Sequence, residues 1–527
     1  MRRCLGLTVL LLPLSPVAFA QHALFRDAGN PSDRYGSAVD GAGDVNADGF
    51  LDFIVGAGDY HVGNATPGGA FVYSGRDNAL LYSFRGDLSG DYFGDTVSSA
   101  GDVDADGFAD VIVGASQAGL GKRGYARVFA GKDGTVIYTF YGDLASDNLG
   151  YEVSEAGDVN ADGYADVLVE AWPTSRNGYV RMYSGKDGTT LFTVHGSDNV
   201  FGLSLAAVGD VNHDGLPDFL ASDPADTVNG AIRVYSGSTG AFLFKATGDG
   251  AFGSFGWAAA ATGDVNGDGT PDFIGGAPNQ NSNKGHLKVC SGTDGAGLWA
   301  ADGDSSSNFF GFSVSGAGDI DQDGFADFLG GSFLNDRGYV RIFSGKTGQQ
   351  LRRYDSTRNA FGISSALVGD INHDGVAEHI VGASFDDMIV VYSGLTYQSS
   401  FSNYGSGWPG TDGIPDFTAN YLPVLCTQIT LTVGNSAGVQ TPGVIFAGLS
   451  QASLPTAWGG TLLVLPLQAI PLVIPATGFA PIIHVPCDVP FLGATVYLQL
   501  LEKDAGASLG VSFSAGLALT IGLGKDD

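Results

Sequence analysis

The sequence predicts an all-β chain, a seven-bladed β-propeller followed by a C-terminal β-sandwich, and three observations carry that prediction. A nine-residue acidic segment occurs seven times, each start lying 51 to 58 residues after the last. Each copy runs into a short apolar, β-branched stretch such as FIVGA or VIVGA, which reads as a strand. A period near 55 residues signals a solenoid or a propeller, and units of four short strands with no helical period select the propeller.

In chain order, residues 1–20 read as a cleaved secretory signal. Arg2 and Arg3 precede an apolar stretch that ends at Ala18-Phe19-Ala20, which places the cut before Gln21 and the protein outside the cell or on its surface. The propeller is expected over residues 21–403. In the second unit TVSSAG, DVIVGAS, YARVFAG and TVIYTFYG make four strands, and turns such as AGKDG, SGSTG and SGTDG join the third to the fourth. SGKTG at Ser344–Gly348 is one of these turns and not a phosphate loop, because Gly338 lies too far upstream for that motif. A closed ring must seal its last blade. Ala23–Gly29 resembles a fourth strand and the segment after Tyr397 offers another, so the closing terminus is left open.

The acidic segment has the grammar of a metal loop. Position 1 is Asp44, Asp102, Asp158, Asp210, Asp264, Asp319 and Asp370. Position 3 is Asn46, Asp104, Asn160, Asn212, Asn266, Asp321 and Asn372. Position 5 is Asp48, Asp106, Asp162, Asp214, Asp268, Asp323 and Asp374, followed each time by glycine. Position 7 would offer its carbonyl from Phe50, Phe108, Tyr164, Leu216, Thr270, Phe325 and Val376. Position 9 is Asp52, Asp110, Asp166, Asp218, Asp272, Asp327 and, as the one departure, Glu378. Side chains at 1, 3 and 5 of a tight loop converge on one point, and an all-oxygen set suits calcium, with up to seven structural ions. An EF-hand would need Glu at position 12, where the first copy has Val55. One Asp/Asn/Gly segment alone would be an ordinary turn; seven with one grammar are cages.

Composition agrees. Only 15% of residues are charged, yet the formal net charge is −31, and the seven segments hold 23 carboxylates. Seven calcium ions would bring −31 to −17. The 25 Lys and Arg are scattered, which excludes a basic stripe for nucleic acid.

Phe93-Gly94, Phe201-Gly202, Phe310-Gly311 and Phe361-Gly362 precede the cages, and Gly276-Ala277-Pro278 follows one. Over about 380 residues this pattern resembles the FG-GAP repeats of the integrin alpha-subunit propeller. The resemblance implies cages between first and second strands on one face, and ligand-binding loops on the other. It implies an adhesion or ligand-binding module whose partner is an extracellular protein or polysaccharide. The chain departs in carrying seven cages, and no unit is long enough for an inserted domain. On the ligand face fall Tyr60, His61 and Asn64, Trp172, and the polar run after Gly276; Tyr60 and Trp172 read first as ordinary loop aromatics packed locally and, as the alternative, as rings that stack on a sugar or anchor a protein. Asn64-Ala65-Thr66 is a glycosylation sequon in a host with that machinery. Arg85-Gly86-Asp87 is read as the end of a fourth strand, not an adhesion tripeptide.

Residues 404–420 read as a Gly/Pro-rich linker whose TDGIPD echoes the cage without its upstream acids, and residues 421–527 as a β-sandwich. Pro466, Pro471, Pro475 and Pro481 exclude a membrane helix there. Cys426 and Cys487 can form one disulfide, and Cys290 reads as a buried free thiol. No nucleophile or zinc motif is present, and His213 and His373, at position 4 of their loops, read as exposed spacers. The alternative function is a lyase or hydrolase of extracellular polysaccharide working in the propeller funnel. A basic and acidic cluster in the funnel would favour the enzyme; a broad aromatic patch would favour the binding module.

Overall fold

The computed structural model of the chain describes residues 23–29, 33–58, 67–117, 122–333, 338–394, 400–404, 406–409, 411–419, 428–456, 461–466, 468–484, 495–507 and 509–520. One compact unit spans Ala23–Leu395, and a second contains Thr396–Asp527.

The first unit is a seven-bladed β-propeller, each blade a four-stranded antiparallel sheet. Blade 2 shows how. Phe93–Gly101 is innermost, then come Asp110–Ala115, Tyr125–Phe129 and Val136–Tyr141. The second strand is buried at all six positions, as a strand covered on both sides by neighbouring blades must be, and this explains its unbroken VIVGA. The fourth strand faces solvent at its rim. The other inner strands begin at Ala38, Leu149, Leu205, Ala259, Ser313 and Phe361. The N-terminus closes the ring: Ala23–Ala28 pairs antiparallel with Met388–Tyr392, from Ala23 opposite Tyr392 to Ala28 opposite Met388, completing the seventh sheet.

Adjacent blades touch through glycine. A Cβ on Gly114 would collide with the carbonyl of Gly150 in the next blade, and Gly276 stands in the same relation to Gly311. The GA of one blade and the FG of the next are therefore two halves of one backbone contact, with Gly150 and Gly311 held at positive φ. Blade 5 supplies Phe255-Gly256 at this place. At the junction of blades 3 and 4 the rule breaks, and Glu170 stands where five other blades have glycine, its Cγ packed beneath Gly202.

The second unit is a β-sandwich. One sheet runs Ser400–Tyr404, Gly516–Thr520, Thr495–Lys503, Thr441–Gly448, Gln468–Ile474, and the other contains Phe417–Ala419, Gln428–Val433 and Ile482–His484. Leu431 and Val433 from the second pack against Ile445, Leu498, Leu500 and Leu517 from the first. Within the span 404–420 read as a linker, Tyr404 and Phe417–Ala419 are strand residues instead. Tyr404 ends a strand whose backbone pairs with Gly516–Thr520, and Phe417–Ala419 pairs with Leu431–Val433, so sandwich strands begin at Ser400, inside the span assigned to the propeller. Hydrogen-bonding demand and burial of Phe417 outweigh the local Gly/Pro signal. Pro471 lies on the edge strand Gln468–Ile474, where a missing N–H is tolerated. No helix among the described residues is long and apolar enough to cross a membrane. Cys290 is a buried free thiol, pushed up to about 12 by burial. Residues 1–20, Tyr60, His61, the sequon at Asn64, and Cys426 and Cys487 lie outside the described residues.

Candidate metal centres and the opposite face

All seven acidic loops join the first strand of a blade to its second, and the turns joining third to fourth lie on the same side. In the first loop Asp44 accepts the N–H groups of Asp48 at 3.0 Å and Gly49 at 2.9 Å. Asn46 accepts the Asp48 N–H, and Asp48 accepts that of Phe50. These bonds wind the backbone so that positions 1, 3 and 5 face inward, and the left-handed turn this needs falls on position 4, at Ala47 with φ 54°, as well as on Gly49. The other copies repeat the pattern, with Ala105, Ala161, His213, Gly267, Gln322 and His373 at positive φ.

Position 9 has a second task that its spacing does not reveal. Asp110 begins a strand, is fully buried, and accepts from Val103 N–H at 2.8 Å and Gly131 N–H at 2.8 Å. It ties the loop to the third-to-fourth turn of its own blade. Asp52, Asp166, Asp218, Asp272 and Asp327 do the same. Glu378, despite its extra methylene, accepts from Ile371 and Gly394 in the same way. The turn glycine has no alternative, since a Cβ on Gly131 would strike the carbonyl of Ala109.

Ligand atoms of Asp102, Asp104 and Asp106 lie within 4.8 Å of one another, as do those of Asp319, Asp321 and Asp327. Burial pushes Asp110 up to about 7 and Glu378 up to about 8 against the pull of their backbone donors, and the neighbouring loop carboxylates add to the rise. Among the described residues the basic side chains paired with loop carboxylates are turn lysines at position 5, such as Lys132 on Asp106 at 3.2 Å and Lys346 on Asp323 at 3.6 Å. Crowded carboxylates in an all-oxygen set with so little counter-charge fit a hard divalent cation. These acidic groups could hold a metal.

The loops also touch one another. His213 and His373 are exposed, yet not mere spacers: His373 stacks on Phe50 at 4.1 Å with Nε2 3.0 Å from the Gly49 carbonyl, and His213 lies 3.4 Å from Thr270 Oγ1. The position-1 carbonyls of Asp44, Asp102 and Asp264 accept the position-8 N–H of the next blade. Asp87 pairs through both oxygens with Arg127 of the next blade, as Asp143 does with Arg181, so Arg85-Gly86-Asp87 is part of a blade seam.

The opposite face carries the strand 2–3 and inter-blade connections. Inner strands enclose a cavity of about 620 Å³ whose charged lining is Asp40, Asp95, Glu152 and Glu155, with no Lys, Arg or His among the described residues. Burial pushes Asp40 up to about 7 and Glu152 up to about 8. At the mouth an aromatic chain crosses three blades. Trp257 meets Phe312 at 5.6 Å, Phe312 meets Phe333 at 4.7 Å, and Phe333 meets Phe385 at 6.0 Å, with the Arg34 guanidinium 4.1 Å over Phe385. Trp257 and Phe385 are 37% and 39% exposed. Trp172 is packed edge-on against Tyr151, and the polar run after Gly276 forms a short turn at Gln280–Asn283. The sequence did not single out the aromatic chain, because its members are spread over about 130 residues and only the ring brings them together.

Comparison with known proteins matches residues 158–221 and 210–275 to the FG-GAP-like repeat, and residues 93–136 and 255–296 to the FG-GAP repeat. Integrin alpha-V of Gallus gallus is 30% identical over 244 residues, 40% of this chain and 23% of that protein. Integrin alpha-5 of Xenopus laevis is 30% identical over 210 residues, 35% and 20% of the two chains. The matches thus span about a fifth of the length of these relatives. The solved Dos1 propeller shares 12% identity at a TM-score of 0.42 over 65% of this chain and 75% of its own, too distant to carry an argument. Repeat, blade and glycine seam together identify an FG-GAP-repeat protein resembling the propeller of integrin alpha subunits.

Proposed function

We propose that this is a secreted or cell-surface propeller stabilised by calcium in its seven loops, which binds an extracellular protein or polysaccharide on the face opposite them. Positions 1, 3, 5 and 9 of each loop supply side-chain oxygens and position 7 a carbonyl. The aromatic chain from Trp257 to Phe385 carries the binding proposal. Trp257 and Phe312 line the cavity, Phe333 and Phe385 continue the chain away from it, and together these rings, partly exposed, offer stacking area to a sugar or anchoring area to a protein. Integrin relatives support an adhesive role over an enzymatic one. A glycan array and a cell-adhesion assay, each with and without calcium, test this. Trp257→Ala and Phe385→Ala are expected to lower binding at least tenfold at unchanged melting temperature; unchanged binding in both would overturn the assignment of this face.

The polysaccharide-active enzyme rests on Asp40, Glu152 and Glu155 in the cavity. The charged groups of the lining are all acidic, and among the described residues it lacks the basic partner expected of the enzyme reading. Release of sugar ends from a polymer, lost in Glu152→Gln, would favour it.

A further inference from the structure

Glu502 follows Leu498 and Leu500 on one face of the strand Thr495–Lys503, and Asp504 comes two residues later. Both leucines belong to the sandwich core, so the inward side of this strand turns from apolar to acidic at its end. Glu502 is 0% exposed and Asp504 1%. Glu502 Oε1 accepts the Ser436 N–H at 2.7 Å, the Ser512 hydroxyl at 2.9 Å and the Ser436 hydroxyl. Its other oxygen, Oε2, is buried with no hydrogen-bond partner. Asp504 accepts the N–H and hydroxyl of Thr411, each at 2.6 Å, and its Oδ2 lies 3.5 Å from Ser436 Oγ. Ser436 therefore joins the two carboxylates, and hydroxyl and N–H groups are their described partners.

Two buried carboxylates that share a serine need a positive charge between them. A proton does not serve well. On Oε2 it would be a buried donor without an acceptor, and on Oε1 it would oppose three donors already there. The hydroxyls of Ser436 and Ser512 each have one hydrogen, which leaves lone pairs for a cation, and the donor set is all oxygen. Thr411 opens the TDGIPD segment that echoes a cage without its upstream acids; the fold brings acids to it from about 90 residues downstream. We infer that the sandwich holds one hard divalent cation of calcium's class at Glu502 Oε2, with Asp504 and the Ser436 hydroxyl as further ligands. None of these residues belongs to the seven propeller loops.

Crystals of the full chain soaked in terbium test this without a variant. An anomalous peak within about 3 Å of Glu502 Oε2 is expected, and peaks confined to the propeller loops would overturn the site. In solution, the purified full chain carrying Glu502→Gln and Asp504→Asn is expected to retain one calcium fewer than its parent by elemental analysis. Equal metal content in a folded variant would also overturn it. Should the variant not fold, the crystal result on the unaltered chain still decides.

Discussion

Asp110 combines two roles, a proposed metal ligand and a buried brace between Val103 and Gly131. Replacing it with alanine leaves two buried N–H groups unpaired at roughly 1–3 kcal/mol each. Urea unfolding of Asp110→Ala should therefore show a loss of about 2–6 kcal/mol even in excess chelator, where the ligand role is silent; a loss confined to calcium-loaded protein would contradict the brace. The ligand role is legible in the sequence because positions 1 to 9 are neighbours. The brace is not, because its partner lies 21 residues away and signals itself only as the glycine that opens each third-to-fourth turn. Glu170 is equally unforeseen in effect. Burial holds its carboxyl well above the usual range, Glu152 reinforces this, and one of its oxygens has no partner. A group with a raised folded pKa holds its proton more tightly in the folded chain, so it stabilises below the ordinary carboxylate range. That contribution is lost as pH climbs through the folded values, about 7 for Asp40 and about 8 for Glu152. At saturating calcium the melting temperature should fall between pH 5 and pH 8, and Glu170→Gln should flatten the fall; an unchanged slope would contradict it.

Among elements, the N-terminal strand matters most to the ring. Ala23–Ala28 is the outer strand of the seventh blade, and without it Met388–Tyr392 presents an unpaired edge. Removal of residues 1–28 should lower the melting temperature and produce concentration-dependent association on gel filtration, both reduced by adding the peptide ALFRDA; a monomer of unchanged stability would contradict closure from this end. The sequence showed two segments able to fill the place. Ser400–Tyr404 was unavailable because it pairs with Gly516–Thr520, a partner more than 100 residues downstream that no local pattern discloses. Blade content was legible because each strand lies beside its sequence neighbour. Cage-to-cage contacts were not: His373 reaches Gly49 and Phe50 only because the ring brings the seventh blade against the first.

At the scale of the molecule, seven loops line one face, each tied by its position-9 acid to its own blade and several by backbone bonds to the next. Bound cations would therefore stiffen a continuous belt, and would neutralise much of a formal net charge of −31. Each ion that binds only the folded chain adds about 2.7 kcal/mol at a free concentration 100 times its dissociation constant. The most direct test is the thermal unfolding of the intact chain in millimolar calcium against the same protein in excess EDTA. The expected result is a propeller transition lowered by ten degrees or more in EDTA and restored when calcium is returned; superimposable transitions, from protein that also purifies free of metal, would contradict a calcium-bound belt.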